Sequence, residues 1–342
     1  MKKVLSVLLV LCLVLSVCSC GKKAEVKPKE EQKKAEATQP IAQLEPDEFY
    51  IKITSSKSRP LAIMIDNDSY ESRPQWGLEN AYMIYEIMVE GASTRMMALF
   101  LDSDAEKIGP VRSSRHYFLD YVMENDAIYA HCGFSPQAAN DIKALGINNV
   151  NELYTNNGKN FYRDSSDGKR APHNLYASIS EVLKYAKDNA KYRLETEKER
   201  VLSYAKQDAD LEGDDATEIK LPYNSAYSVS YKYNADEKVY DRYVNSKEHT
   251  SLSTKKALTA KNIIIYKVKN YSIDEVGRQN LENIGSGEGY YISNGKCVEI
   301  KWEKTARNSK TVYKTADGNV LEVNPGNTFI QIMPLSSEIT IQ

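Results

Sequence analysis

Two arginines, a histidine and two serines crowd the stretch EKIGPVRSSRHYF, residues 106–118, directly behind a Gly-Pro pair. Arg112 and Arg115 stand three apart, which places them on one face wherever the chain is helical. Each guanidinium can fork onto two oxygens of a phosphate or carboxylate. Gly109-Pro110 breaks the run before them and Ser113 or Ser114 can cap, so the spacing predicts a helix entrance here. The free N–H groups and dipole of such an entrance favour negative charge. Two cations at that end cost stability unless something negative joins them. That partner is either a bound anion or an internal carboxylate such as Asp66, Glu86 or Glu90, and both readings stay open.

Two further clusters share this chemistry. HCGFSPQ places His131 at a strand end, Ser135 at a helix N-cap and Gln137 just behind it. FYRDSSDGKRAPHN offers Arg163, Arg170, His173 and Asn174 on a loop ahead of a helix, where sites are common. Asp66 and Asn67 close the apolar run PLAIMIDN, Arg73 lies in the turn that follows, and Arg95 opens a strand after EGAS. The candidate ligand-binding set is therefore Asp66, Asn67, Arg73, Glu90, Arg95, Arg112, Ser113, Arg115, His131, Ser135, Gln137, Arg163, Arg170, His173 and Asn174. Catalysis has less support, because G-x-S-x-G, H-E-x-x-H, the P-loop and paired metal-binding cysteines are all missing. His116, His131 and His173 have no diagnostic metal spacing, so no metal or cofactor is expected. The enzymatic alternative is phosphoryl transfer, with Asp66 on a divalent ion and arginines on the phosphates. The remaining alternative is a scaffold whose arginines are structural.

These residues need elements to carry them. From residue 59 to about 190, short apolar strands alternate with helical patterns, which argues an α/β layer. MIYEIMVEGASTRMMALF reads as two strands joined by a hairpin-like EGAS connection. SPQAANDIKALG has Ser135 as cap, Pro136 at the first helical position and Gly146 past the end. Ser178 and Glu181 have capping-box spacing for another helix. After Leu221 the texture becomes strands punctuated by Asn-Gly, Asp-Gly and Pro-Gly turns. Tyr227, Val229, Tyr231 and Tyr233 would share one strand face. The glycines of GSGEGY open no helix and read as hairpin glycines. The expected architecture is an α/β N-terminal domain, a mixed sheet flanked by helices, over 59–215. A mostly antiparallel β-rich domain follows over 216–342.

The N-terminus gives an address. Residues 1–19 carry Lys2, Lys3 and the apolar run VLSVLLVLCLVLSV, a secretory signal too short for an ordinary span. The run ends in VCSC, which resembles the lipobox of bacterial lipoproteins, with Cys20 the acylated residue. Lipid on that cysteine would make the bilayer a partner and hold the folded part on the extracytoplasmic face. Residues 20–58, rich in lysine and glutamate, read as a disordered tether. The net charge of -2 gives no reason to expect nucleic acid. Three of the five cysteines lie in the signal region, leaving Cys132 and Cys297, which read as free thiols rather than a disulfide framework. The 24 tyrosines suit either sugar-stacking surfaces or sheets with one wet face.

Several motifs in one order carry a resemblance. PLAIMIDN, RPQWGL, VEGASTR, KIGPVRSSRHYF, HCGFSPQA and APHNLY, followed by LTAKNIIIYKV, GSGEGYYISNGK and NTFIQIMP, resemble the YerB-like family of bacterial lipoproteins. The resemblance implies a surface lipoprotein with an N-terminal α/β domain, a smaller C-terminal domain and no assigned activity. Cys132 and Phe134 stand where smaller residues are expected, and Asn327 and Phe329 where Thr-Trp combinations are. The layout of acids and arginines is also similar to that of LytR–CpsA–Psr-type wall-polymer ligases, in arrangement only. The expected function is binding of an anionic wall glycan or peptide, or of a wall-synthesis protein.

Overall fold

A computed structural model describes residues 39–342. The signal, Cys20 and most of the tether lie outside the described residues.

The run at 61–65 forms strand β1 (Leu61–Ile65), in which every residue is buried. Leu61, Ile63 and Ile65 enter one core, Ala62 and Met64 the other. Such a strand has to be covered on both faces. It lies antiparallel to β3 (Thr94–Phe100) and parallel to β4 (Ile128–His131). β3 pairs in turn with β2 (Met83–Met88) through the EGAS turn, and β4 with β5 (Asn149–Asn151). The hairpin expected from EGAS is present.

The sheet does not stop at the end of the α/β region. Strand Thr328–Pro334 lies parallel to β2 on one side and parallel to Asn262–Val268 on the other. Gly285–Ser293, Lys296–Lys304 and Val312–Thr315 continue outward as antiparallel neighbours. The result is an 11-stranded mixed sheet drawn from both halves of the sequence. The C-terminal half also forms a separate antiparallel sheet containing Glu218–Pro222, Ser228–Asn234 and Val239–Val244. Tyr227, Val229 and Tyr231 are buried and Tyr233 partly so, all four in one cluster, as their alternation predicts.

Helix α1 (Pro46–Ser55) corrects the extent of the tether. It has Pro46 in its first turn, a reciprocal Glu45–Glu48 capping box, and Phe49 and Ile53 fully buried. The charged composition around it hides this one apolar i, i+4 pair. Helix α2 (Phe118–Glu124) covers the same face of the large sheet as α1. Helix α4 (Ile179–Asp188), with Ser178 accepting from Glu181 N, packs on the other face. Helix α3 (Pro136–Ala144) begins at Ser135, whose side chain accepts from Ala138 N.

Candidate functional site

The arginine stretch is extended, not helical, which corrects the expected helix entrance. Its backbone pairs with neighbouring strand ends at alternating positions. Arg112 N donates to Met64 O, Ser114 N to Gly133 O and Val111 N to Leu175 O. Pro110 O, Arg112 O and Ser114 O accept from Asp66 N, Cys132 N and Ser135 N. The segment is thus wedged between the carboxyl ends of β1 and β4 and the strand Leu175–Ala177. Gly109 fits there because its φ is +144° and a Cβ would come within 2.8 Å of Leu175 O. Helix α2 starts only at Phe118, and its N-cap makes no side-chain bond.

Three arginines meet three carboxylates at this edge. Arg112 directs Nε and Nη2 onto Asp68 Oδ2 at 3.1 and 3.0 Å, with Asp66 Oδ2 3.6 Å from Nε. Arg115 forks onto Glu90 through Nε (2.9 Å) and Nη2. Arg95 bridges them, reaching Asp68, Glu90 and the Ser113 carbonyl. Burial would raise the Glu90 carboxyl, but hydrogen bonds and charge from Arg115, with Arg95 behind, hold it down at about 2. Arg95 and Arg115 are buried, whereas the Arg112 side chain is 26% exposed. Arg112 Nη1 has no partner among the described residues.

The third cluster joins through His173. Its Nδ1 donates to Asp66 Oδ2 at 2.8 Å, and Nε2 lies 3.4 Å from Glu71. Asp66 Oδ1 accepts from Asp68 N, so both carboxylate oxygens of Asp66 are engaged. Asn174 is held by Arg163 Nη1 and Ser165. Arg163 and Arg112 both act by charge on the Cys132 thiol, which burial and Glu152 push up to about 12. Arg170 is exposed, and its carbonyl accepts from His173 N. Lys107 anchors the loop, 2.6 Å from Asp164 and over the rings of Trp76 and Tyr176.

Other candidates sit deeper or elsewhere. His131 is fully buried and stacked on Tyr129; Nδ1 donates to Gly133 O, Nε2 accepts from Asn149, and burial pushes its pKa to about 4. Ser135 is spent as the α3 cap, and Gln137 is exposed. Asn67 is a buried hub, donating to Glu86, Thr94 and Tyr227 and accepting from Arg73 and Gln75.

Residues 50–193 match the family "Protein of unknown function (DUF3048) N-terminal domain", and residues 219–330 match its C-terminal domain. The chain belongs to the DUF3048 family. It is 29% identical over 98% of its length to "Putative lipoprotein YerB" of Bacillus subtilis, covering 96% of that protein. The crystal structure of YerB protein from Bacillus subtilis superposes with a TM-score of 0.74 at 28% identity, covering 89% of this chain and all of that one. Among the described residues no helix is long and apolar enough to cross a membrane.

The two DUF3048 regions meet in a buried ionic network that sequence reasoning missed. Arg242 Nη2 donates to Glu86 Oε2 at 2.6 Å, with both side chains fully buried. Glu86 also accepts from Tyr227, Thr94 and Gln331. Burial alone would raise the Glu86 carboxyl, but Arg242 and these hydroxyl donors keep it below its ordinary value. Arg242 Nη1 meets His249 Nδ1, whose Nε2 lies 2.5 Å from Gln75 Oε1. Gln75 in turn donates to the Asp66 carbonyl. Glu86 entered the sequence reading only as a possible carboxylate partner. Its true partner is 156 residues away, and no local pattern points to it.

Proposed function

We propose that this DUF3048 protein is a non-catalytic lipoprotein. Acylated Cys20 holds it to the extracytoplasmic face of the membrane. Its folded part binds an anionic group of a cell-envelope ligand, or of a wall-synthesis partner, at the Arg112 edge. The observation that carries this reading is the division among the arginines. Arg95 and Arg115 are consumed by internal carboxylates, while Arg112 keeps a solvent-facing nitrogen beside the Arg163–His173 loop. A guanidinium so held loses little entropy when it takes up an anion. The scaffold reading draws on the same network, since Asp66, Asp68 and Glu90 already balance three arginines.

Thermal unfolding with inorganic phosphate, glycerol phosphate and carboxylated wall fragments separates the two. Binding at a hundredfold excess over Kd would raise the midpoint by about 5 °C. Arg112→Ala is expected to abolish that rise while remaining nearly as stable as wild type. Arg115→Ala, which strands Glu90, is expected to unfold several degrees earlier. Absence of any anion shift in the wild type, with Arg112→Ala as damaging as Arg115→Ala, would leave the scaffold reading.

A further inference from the structure

The edge around Arg112 carries aromatic rings that stand partly in solvent. Tyr129, His131, Phe134 and Tyr154 form a series with centroids 4.7, 6.2 and 6.2 Å apart. It begins at two fully buried rings and ends at Tyr154, which is 74% exposed. The series meets the arginine segment at Phe134, next to Tyr154 in the stack. Ser114 bridges Phe134, and a Cβ on Gly133 would lie 3.6 Å from Leu153 Cδ1 and 3.8 Å from Ser113 Cβ. A second ring, Tyr70, is 81% exposed on the loop whose Asp68 grips Arg112 and whose Glu71 faces His173.

The polar groups beside these rings are mixed in sign. A bare anion approaching Arg112 Nη1 also meets the partly exposed carboxylates of Asp68 and Glu71. Hydroxyl groups suit such a surface better, because each can donate to a carboxylate and accept from a guanidinium. A pyranose ring adds apolar C–H faces that pack on aromatic rings. We propose that the ligand of this site is an acidic glycan, with Tyr154 and Tyr70 carrying sugar faces, Asp68 and Glu71 accepting from hydroxyls, and Arg112 meeting the acid. This rests on the anion reading above and names the class of molecule that brings the charge.

The test is a titration of the full-length protein in detergent micelles with three probes: inorganic phosphate, a neutral N-acetylglucosamine oligosaccharide, and the same oligosaccharide bearing one phosphate. The phosphorylated oligosaccharide is expected to bind at least tenfold more tightly than phosphate, about the gain of one or two aromatic contacts. Tyr154→Ala and Tyr70→Ala, both at exposed positions, are each expected to cut that preference by about three- to tenfold. A phosphorylated oligosaccharide that binds no tighter than phosphate overturns the glycan proposal while leaving the anion reading in place. Tyrosine-dependent binding of the neutral oligosaccharide without any phosphate binding keeps the glycan surface and ends the anion reading. Silence from all three probes ends both.

Discussion

The Glu86–Arg242 pair allows the sharpest test of how the two halves are joined. Arg242→Met removes the charge and keeps most of the volume, leaving Glu86 fully buried without its cation. Breaking a buried pair from one side costs about 3–5 kcal/mol. Glu86 keeps Tyr227 and Thr94 at 2.7 Å each, which places the loss near 3 kcal/mol. His249 also loses its neighbour at 3.0 Å, adding about 1 kcal/mol. The sign of the pH dependence gives a second readout. In the wild type the depressed Glu86 pKa contributes stability above the unfolded carboxyl value, lost only as pH falls through the lower folded one. In Arg242→Met burial is opposed only by the remaining hydrogen-bond donors such as Tyr227 and Thr94, so the carboxyl rises relative to wild type and its penalty fades as acid protonates it. Urea unfolding at pH 7 and near pH 5 should therefore show a difference of about 4 kcal/mol that shrinks on acidification. Glu86→Gln strands a guanidinium that cannot shed its proton, so it should cost at least as much. The double variant should cost less than the two singles together by about 2 kcal/mol or more. A single-variant loss below about 1 kcal/mol, or a difference independent of pH, would refute this account of the junction.

Three further outcomes follow from other contacts. A chain starting at residue 59 lacks Phe49 and Ile53, both fully buried; calorimetry should show it less stable than a chain from residue 39 by about 3–5 kcal/mol. Gly109→Ala puts a Cβ 2.8 Å from Leu175 O at a φ of +144°, so urea unfolding should register a loss above about 1 kcal/mol. Glu90→Gln removes a carboxyl held at about 2, far below its ordinary range. That carboxyl adds stability above the unfolded value, lost as pH falls toward 2, so the variant should lose less stability than wild type between pH 5 and 3.

Much of the local structure was readable from the sequence. The apolar run ending at Asp66, the EGAS hairpin, the Ser135-Pro136 start of α3 and the Ser178 cap each follow from a few neighbouring residues. The shared sheet was not readable, because Thr328–Pro334 reads as a buried strand without indicating its partners. Its pairing with β2 joins residues about 245 apart, as Glu86 facing Gln331 shows. The helix α1 was hidden for a different reason: it follows directly on the lysine- and glutamate-rich run, and of its hydrophobic residues Phe49, Tyr50, Ile51 and Ile53 only Phe49 and Ile53 are fully buried on the sheet face they cover.

The candidate site shows why residue type alone could not separate a structural arginine from an available one. On a helix, Arg112 and Arg115 would share a face and compete for one partner. On the extended backbone the odd spacing sends them different ways, Arg112 toward Asp68 and Arg115 toward Glu90. Arg95, arriving from β3, closes the gap between the two carboxylates. Arg112 and Arg115 therefore each grip one carboxylate, Arg95 spans both, and of the three only Arg112, the most exposed, keeps a free nitrogen. Recognition and stability are consequently separable at this edge. Changing Arg95 or Arg115 alters what holds Arg112 in place, while changing Arg112 alters what it can hold.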